Sequence, residues 1–229
     1  MPGYIMHLAE GRLLEEALCD RGFLKGERDL SLFQDGLLLP DTKRKKEKIT
    51  SHFWNEKDLT RLAIPPDLEL FYEKYREKLH TPVFLGYWAH LHLDRIFVTE
   101  FWPENFQFLD DTGKEQVLGD RIRKVYLLKQ KITVPVQEFY SGAWYYGDYS
   151  RMNARFIEKY DIRVPDVVSG CADGIAEAEE EDLHTVRQEL LELCRTSGKE
   201  KHSLKVFSPE DLDELLKKTA AEFLQLLGT

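Results

Sequence analysis

Between Thr81 and Phe101 the chain reads TPVFLGYWAHLHLDRIFVTEF, and this stretch limits the possible folds more than any other. Thr81-Pro82 is a helix start, since proline fits the first helical position. The apolar residues that follow (Phe84, Leu85, Trp88, Leu91, Ile96, Phe101) cover most sides of the helix. Such a helix cannot lie on a surface and has to run inside an assembly of other elements. It also carries His90 and Asp94, whose i,i+4 spacing puts them on one face about 5–6 Å apart. His92 points away, about 200° round the same helix, which makes it a packing or rim residue. A buried, unpaired carboxylate is too costly to keep, so the fold must bring partners to Asp94.

The rest of the chain supplies mainly helical patterns. Met6 to Cys19 has helical apolar spacing and stops at Gly22. Leu30 to Phe33 reads as a short helical turn, and Thr42 to Lys48 as an exposed basic loop. Pro65-Pro66-Asp67 starts a helix capped by Asp67, with Leu68, Phe71, Tyr75 and Leu79 as its buried stripe. A loop from Pro103 to Gly119 leads to further helical patterns at about 120–130 and 135–160, although the β-branched run from Lys129 to Val136 pulls against helix. After a break at Val164 to Gly170, amphipathic helices are predicted at 174–195 and 209–227, the second entered by Ser208-Pro209-Glu210. The expectation from these patterns is an all-α fold. Residues 1–165 would form the metal-binding domain and 166–229 a C-terminal helical extension packing on it.

Three more groups join His90 and Asp94 as candidates: His7 on the first helix, Asp41 after Leu37-Leu38-Leu39-Pro40, and His52 before Phe53-Trp54. Each lies among apolar residues. Imidazoles and carboxylates drawn from four segments suit Zn, Mn, Fe or Ni better than Mg or Ca. The plain alternatives are satisfied core histidines and, for Asp41, a helix cap or turn brace. Asp148, after Gly147, is a candidate further ligand or proton acceptor, with a simple turn residue as its alternative. Asp94 and Asp148 are thus the candidate catalytic residues. Arg95 beside Asp94 is read as a surface ion pair before a phosphate clamp.

The words around these residues resemble a known family. Met1 to His7, Phe33 to Asp41 followed by a short basic loop and Ser51-His52-Phe53, and Phe84 to Asp94 are similar to segments of the zinc-dependent phospholipase C-like proteins. The likeness spans roughly the first hundred residues. It implies an α-helical bundle holding metal ions between its helices, and phosphoester hydrolysis. It also implies metal-ligand roles for His7, Asp41, His52, His90 and Asp94. Trinuclear members add a histidine, then a histidine and glutamate pair, after the H-x-x-x-D helix; here no histidine occurs between His92 and His184. One or two divalent ions are therefore expected, with zinc the first choice and Mn, Fe or Ni open.

Several classes are excluded. The 229 residues carry a net charge of −9, which argues against a general nucleic-acid binder. No apolar run reaches the roughly 18 residues of a membrane span. Cys19, Cys171 and Cys194 form no C-x-x-C pair, so a thiolate knuckle or disulfide framework is not expected, and a reducing cytoplasm is the default compartment. There is no G-x-S-x-G, no H-E-x-x-H and no adjacent His-Asp pair. The reading is a metal-dependent phosphoesterase acting on a small phosphorylated substrate; the alternative is a helical binding protein that keeps the fold without catalysis.

Overall fold

The computed structural model describes residues 2–197 and 203–228. It is mostly helical, with one small sheet. Helix α1 (Tyr4–Asp20) ends where Gly22 takes a positive φ of 77°, and α2 (Glu27–Leu38) returns to pack against it. A 3-10 turn (Leu39–Thr42) and the short α3 (Lys48–Ser51) follow. Helix α4 (Leu68–Tyr75) is capped as expected, the Asp67 carboxylate accepting from the Leu70 amide at 3.0 Å. The central helix α5 (Pro82–Ile96) runs into a π turn (Phe97–Phe101) and the short α6 (Trp102–Asn105).

Residues 106–135 depart from the all-α expectation. Strands β1 (Phe106–Leu109), β2 (Lys124–Leu127) and β3 (Ile132–Pro135) form an antiparallel sheet in chain order, with Val125 opposite Val134. Within the helix expected at 120–130, residues 124–127 are strand, because Val125, Leu127 and Val134 bury one face of a pleated surface and their β-branched neighbours favour that geometry. The single run expected at 135–160 is split into α7 (Val136–Phe139) and α8 (Tyr145–Lys159).

Helix α9 (Glu180–Thr196) starts six residues later than its apolar pattern suggests. Gly174 has a φ of 78°, and Tyr75 of α4 ties down the residues that follow, donating to Glu177 at 2.6 Å and accepting from the Ala176 amide. Helix α10 (Pro209–Leu226) has Ser208 as its cap, accepting from the Asp211 amide.

Helix α5 is buried along nearly its whole length, between α2, α1, α4 and α10. Its crossing with α2 is made backbone to backbone at Gly36 and Gly86. On the other side, Phe223 of α10 packs edge-on against Trp88 and against the ring of His92, which gives His92 the packing role expected of it. Among the described residues no helix is long and apolar enough to cross a membrane.

Candidate metal centre

Four elements deliver five polar side chains to one point in this core. His7 comes from α1, Asp41 from the 3-10 turn after α2, His52 from the end of α3, and His90 and Asp94 from α5. Four of the five are at most 1% exposed, and Asp41, at 7%, lies nearest solvent. The rings of His7 and His90 stack with centroids 3.6 Å apart, and His52 meets His90 edge-on. Asp94 divides its two oxygens: Oδ1 lies 3.6 Å from His7 Nε2, while Oδ2 lies 3.5 Å from His52 Nε2 and 3.6 Å from His90 Nε2. His52 Nε2 is also 3.4 Å from Asp41 Oδ1. Two groups of three can each hold a metal ion, His7 with His90 and Asp94, and Asp41 with His52 and His90. The structure thus brings together all five residues singled out as ligands.

The second hydrogen-bonding position of each ring decides what the first can do. His90 Nδ1 lies 2.8 Å from the Leu37 carbonyl, which only accepts, so Nδ1 carries the proton. In the neutral ring, Nε2 is then a lone pair facing Asp94. Ser51 has one hydroxyl proton and gives it to the Pro40 carbonyl at 2.8 Å, so at 2.9 Å from His52 Nδ1 it must accept. His52 Nε2 is therefore also a lone pair, and it faces two carboxylates. Neither nitrogen of His7 and neither oxygen of Asp94 has a hydrogen-bond partner.

Burial favours the neutral form of His7 and His52. It pushes His7 down to about 4, helped by the nearby His90, and pushes His52 down as well. Burial would raise Asp94, but His7 and His90 more than offset it; for Asp41 the same holds through His52 and Lys48, so both carboxyls lie below the usual range. Imidazole nitrogens aimed at ionised carboxylates at these distances need a positive charge between them, either a proton on the ring or a metal ion. That donor set of imidazole nitrogen and carboxylate oxygen fits a divalent transition metal. The Leu37 and Ser51 contacts are the outer-shell bonds that orient metal-binding histidines.

Asp148 does not belong to this centre. Its carboxylate accepts from the backbone amides of Lys205 (3.0 Å), Val206 (2.7 Å) and Phe207 (3.1 Å), and from Arg151 at 2.6 Å. Those bonds use up its acceptor capacity and tie α8 to the segment entering α10. The catalytic role expected from sequence is corrected to that of an anchor. Arg95 is exposed and donates to the Pro66 carbonyl, away from Asp94. The basic run is less free than expected: Lys43 pairs with Asp182, Arg44 with Glu189 and Tyr4, and Lys48 with Asp41 at 2.6 Å.

Two residues of the site escaped sequence reasoning. Ser51 is marked only by its position before His52. Glu10 is fully buried on α1, with both oxygens lacking a partner, and burial pushes its carboxyl up to about 8. A signal for Glu10 was present: Met6, Glu10, Leu14 and Leu18 are spaced by four, so a carboxyl sits within the apolar stripe.

No protein-family model matches the chain, and no curated protein or solved structure matches it.

Proposed function

We propose that this protein is a metal-dependent hydrolase of small phosphate esters, with one or two divalent transition-metal ions, zinc first among them, held on His7, Asp41, His52, His90 and Asp94. The observation that carries the reading is the convergence of His52 Nε2 and His90 Nε2 on Asp94 and Asp41 in a buried core, with the Nδ1 of each ring already engaged by Ser51 and the Leu37 carbonyl. The resemblance of the first hundred residues to zinc-dependent phospholipase C-like proteins points the same way. A bound ion of this kind lowers the pKa of a coordinated water to about 7 and so makes hydroxide available at neutral pH.

The chain's own residues supply the rest. Asp94 turns one oxygen toward His7 and the other toward His52 and His90, and His90 is common to both triads, which suits two adjacent ions as well as one. The Leu37 carbonyl and Ser51 hold the rings in the tautomer that presents Nε2 inward. Lys48 is half-buried and pairs with Asp41, the member nearest solvent; on this reading its ammonium would donate to a phosphate oxygen at the rim.

The burial of the ligands favours a second reading, in which the ion fastens the core of a non-catalytic binding protein. Elemental analysis of the purified protein beside His90→Ala and Asp94→Ala, followed by a phosphatase and phosphodiesterase screen, separates the two. One or two equivalents of metal, lost in both variants, with hydrolysis of a small ester, supports the enzyme. Metal without hydrolysis, and a large drop in Tm on chelation, supports the fastener. A chain that binds no Zn, Mn, Fe or Ni on titration overturns both.

A further inference from the structure

Glu10 lies one turn from His7 on α1 and is completely buried, yet neither carboxyl oxygen has a hydrogen-bond partner. The groups that act on it from the facing helices are Thr219 of α10 and Asp94 of α5. Thr219 helps little, because its single hydroxyl proton goes to the Leu216 carbonyl at 3.1 Å and would have to leave it to reach Glu10. Asp94 brings a negative charge, and among the described residues no Lys or Arg pairs with Glu10. An ionised carboxylate here would be desolvated, repelled by Asp94 and without a cationic partner, so burial favours the neutral acid. Glu10 also lies outside both three-residue ligand groups.

Cations at the centre would reverse the sign of that environment. Two divalent ions bring four positive charges; Asp41 and Asp94 supply two negative ones, and the three imidazoles supply none. A further carboxylate close by, reached through water, balances the excess where low dielectric makes imbalance costly.

We infer that Glu10 is a proton-for-metal exchange residue of this centre: a neutral acid in the metal-free chain, and a carboxylate bonded to the centre through water in the loaded chain. The O–H bond of Glu10 breaks on loading, its electron pair stays on the carboxylate, and the proton leaves to solvent. The residue is a positioning residue, not a ligand. The inference rests on the metal reading above.

The test is calorimetric titration with Zn²⁺ at pH 7, in two buffers of different protonation enthalpy, on wild type and Glu10→Gln. Wild type is expected to release about one proton more than the variant on loading and to bind zinc about 10–100-fold more tightly, the range typical of outer-shell partners. Equal proton counts with zinc bound by both would overturn this inference and leave the metal reading standing. A wild type that binds none of Zn, Mn, Fe or Ni overturns both. Should Glu10→Gln fold poorly, infrared difference spectra of wild type decide: a protonated-carboxyl stretch, shifted by isotope-labelled glutamate, must disappear on zinc addition. Its absence before zinc, or its persistence afterwards, rejects the inference.

Discussion

Gly36 of α2 and Gly86 of α5 meet backbone to backbone: a Cβ on Gly86 would stand 2.0 Å from the Phe33 carbonyl oxygen and 3.0 Å from the Gly36 Cα. That approach is what lets the Leu37 carbonyl reach the ring of His90 one turn further along α5. Backbone cannot yield as a flexible side chain would, so Gly86→Ala should force the helices apart. The expected loss is on the order of 3 kcal/mol or more by chemical denaturation, with metal binding weakened in parallel. Gly119→Ala, where the added carbon meets only ordinary contacts, should stay within about 0.5 kcal/mol of wild type. An unchanged midpoint for Gly86→Ala would show that the crossing is looser than the structure has it.

Ser51→Ala tests the orientation of His52 separately from the ligands themselves. Without the hydroxyl, nothing holds the Nδ1 proton in place, and the ring is free to take the tautomer that puts its proton inward. Metal affinity should fall about 10–100-fold while the helical circular dichroism is retained. Ser51→Thr, which keeps an acceptor at the same point, should recover part of the loss if the added methyl fits. Equal affinity in wild type and Ser51→Ala would mean that His52 is oriented by packing alone.

In the metal-stripped protein, two buried groups pull stability in opposite directions with pH. Glu10 is pushed from 4.5 up to about 8, so folding favours its protonated form. Its contribution is fully present below pH 4.5 and is lost as pH rises through 8, a swing of roughly 5 kcal/mol at one pKa unit per 1.36 kcal/mol. His7 is pushed from 6.5 down to about 4, so it costs stability as pH falls through that window. Glu10→Gln should remove the decline on the alkaline side and leave the acid side alone. Urea denaturation at several pH values measures this, and parallel curves for the two proteins would show that Glu10 does not hold its proton as described.

The helices and three of the five ligand candidates were legible through periodicity, whereas Asp41 and His52 stood out by their apolar neighbours and by the family resemblance. Apolar residues at helical spacing located α1, α4, α5 and α10, and polar groups within those stripes marked His7, His90 and Asp94. The sheet was harder to see, because strands of four residues show too few alternations to outweigh a helical reading of residues 120–130; only the β-branched run near Val134 hinted at it. Asp148 misled for a different reason. A carboxylate that caps three backbone amides looks the same in sequence as one that binds a metal, since its partners lie 57 to 59 residues away. The tautomer locks were out of reach as well, because the Leu37 and Pro40 carbonyls carry no side-chain signature.

Asp148 offers the cleanest separation of anchor from ligand. Asp148→Ala would leave the amides of Lys205, Val206 and Phe207 without their acceptor, and Arg151, 7% exposed at its side chain, without its counter-charge. Removing one partner of a buried charged network costs about 3–5 kcal/mol. The loss should appear as a lower Tm and faster proteolysis ahead of α10, where the segment is released. Metal content per folded molecule should match wild type, because no atom of Asp148 belongs to either ligand group. A variant that kept its Tm but purified without metal would return Asp148 to the centre and end its role as the tie between α8 and α10.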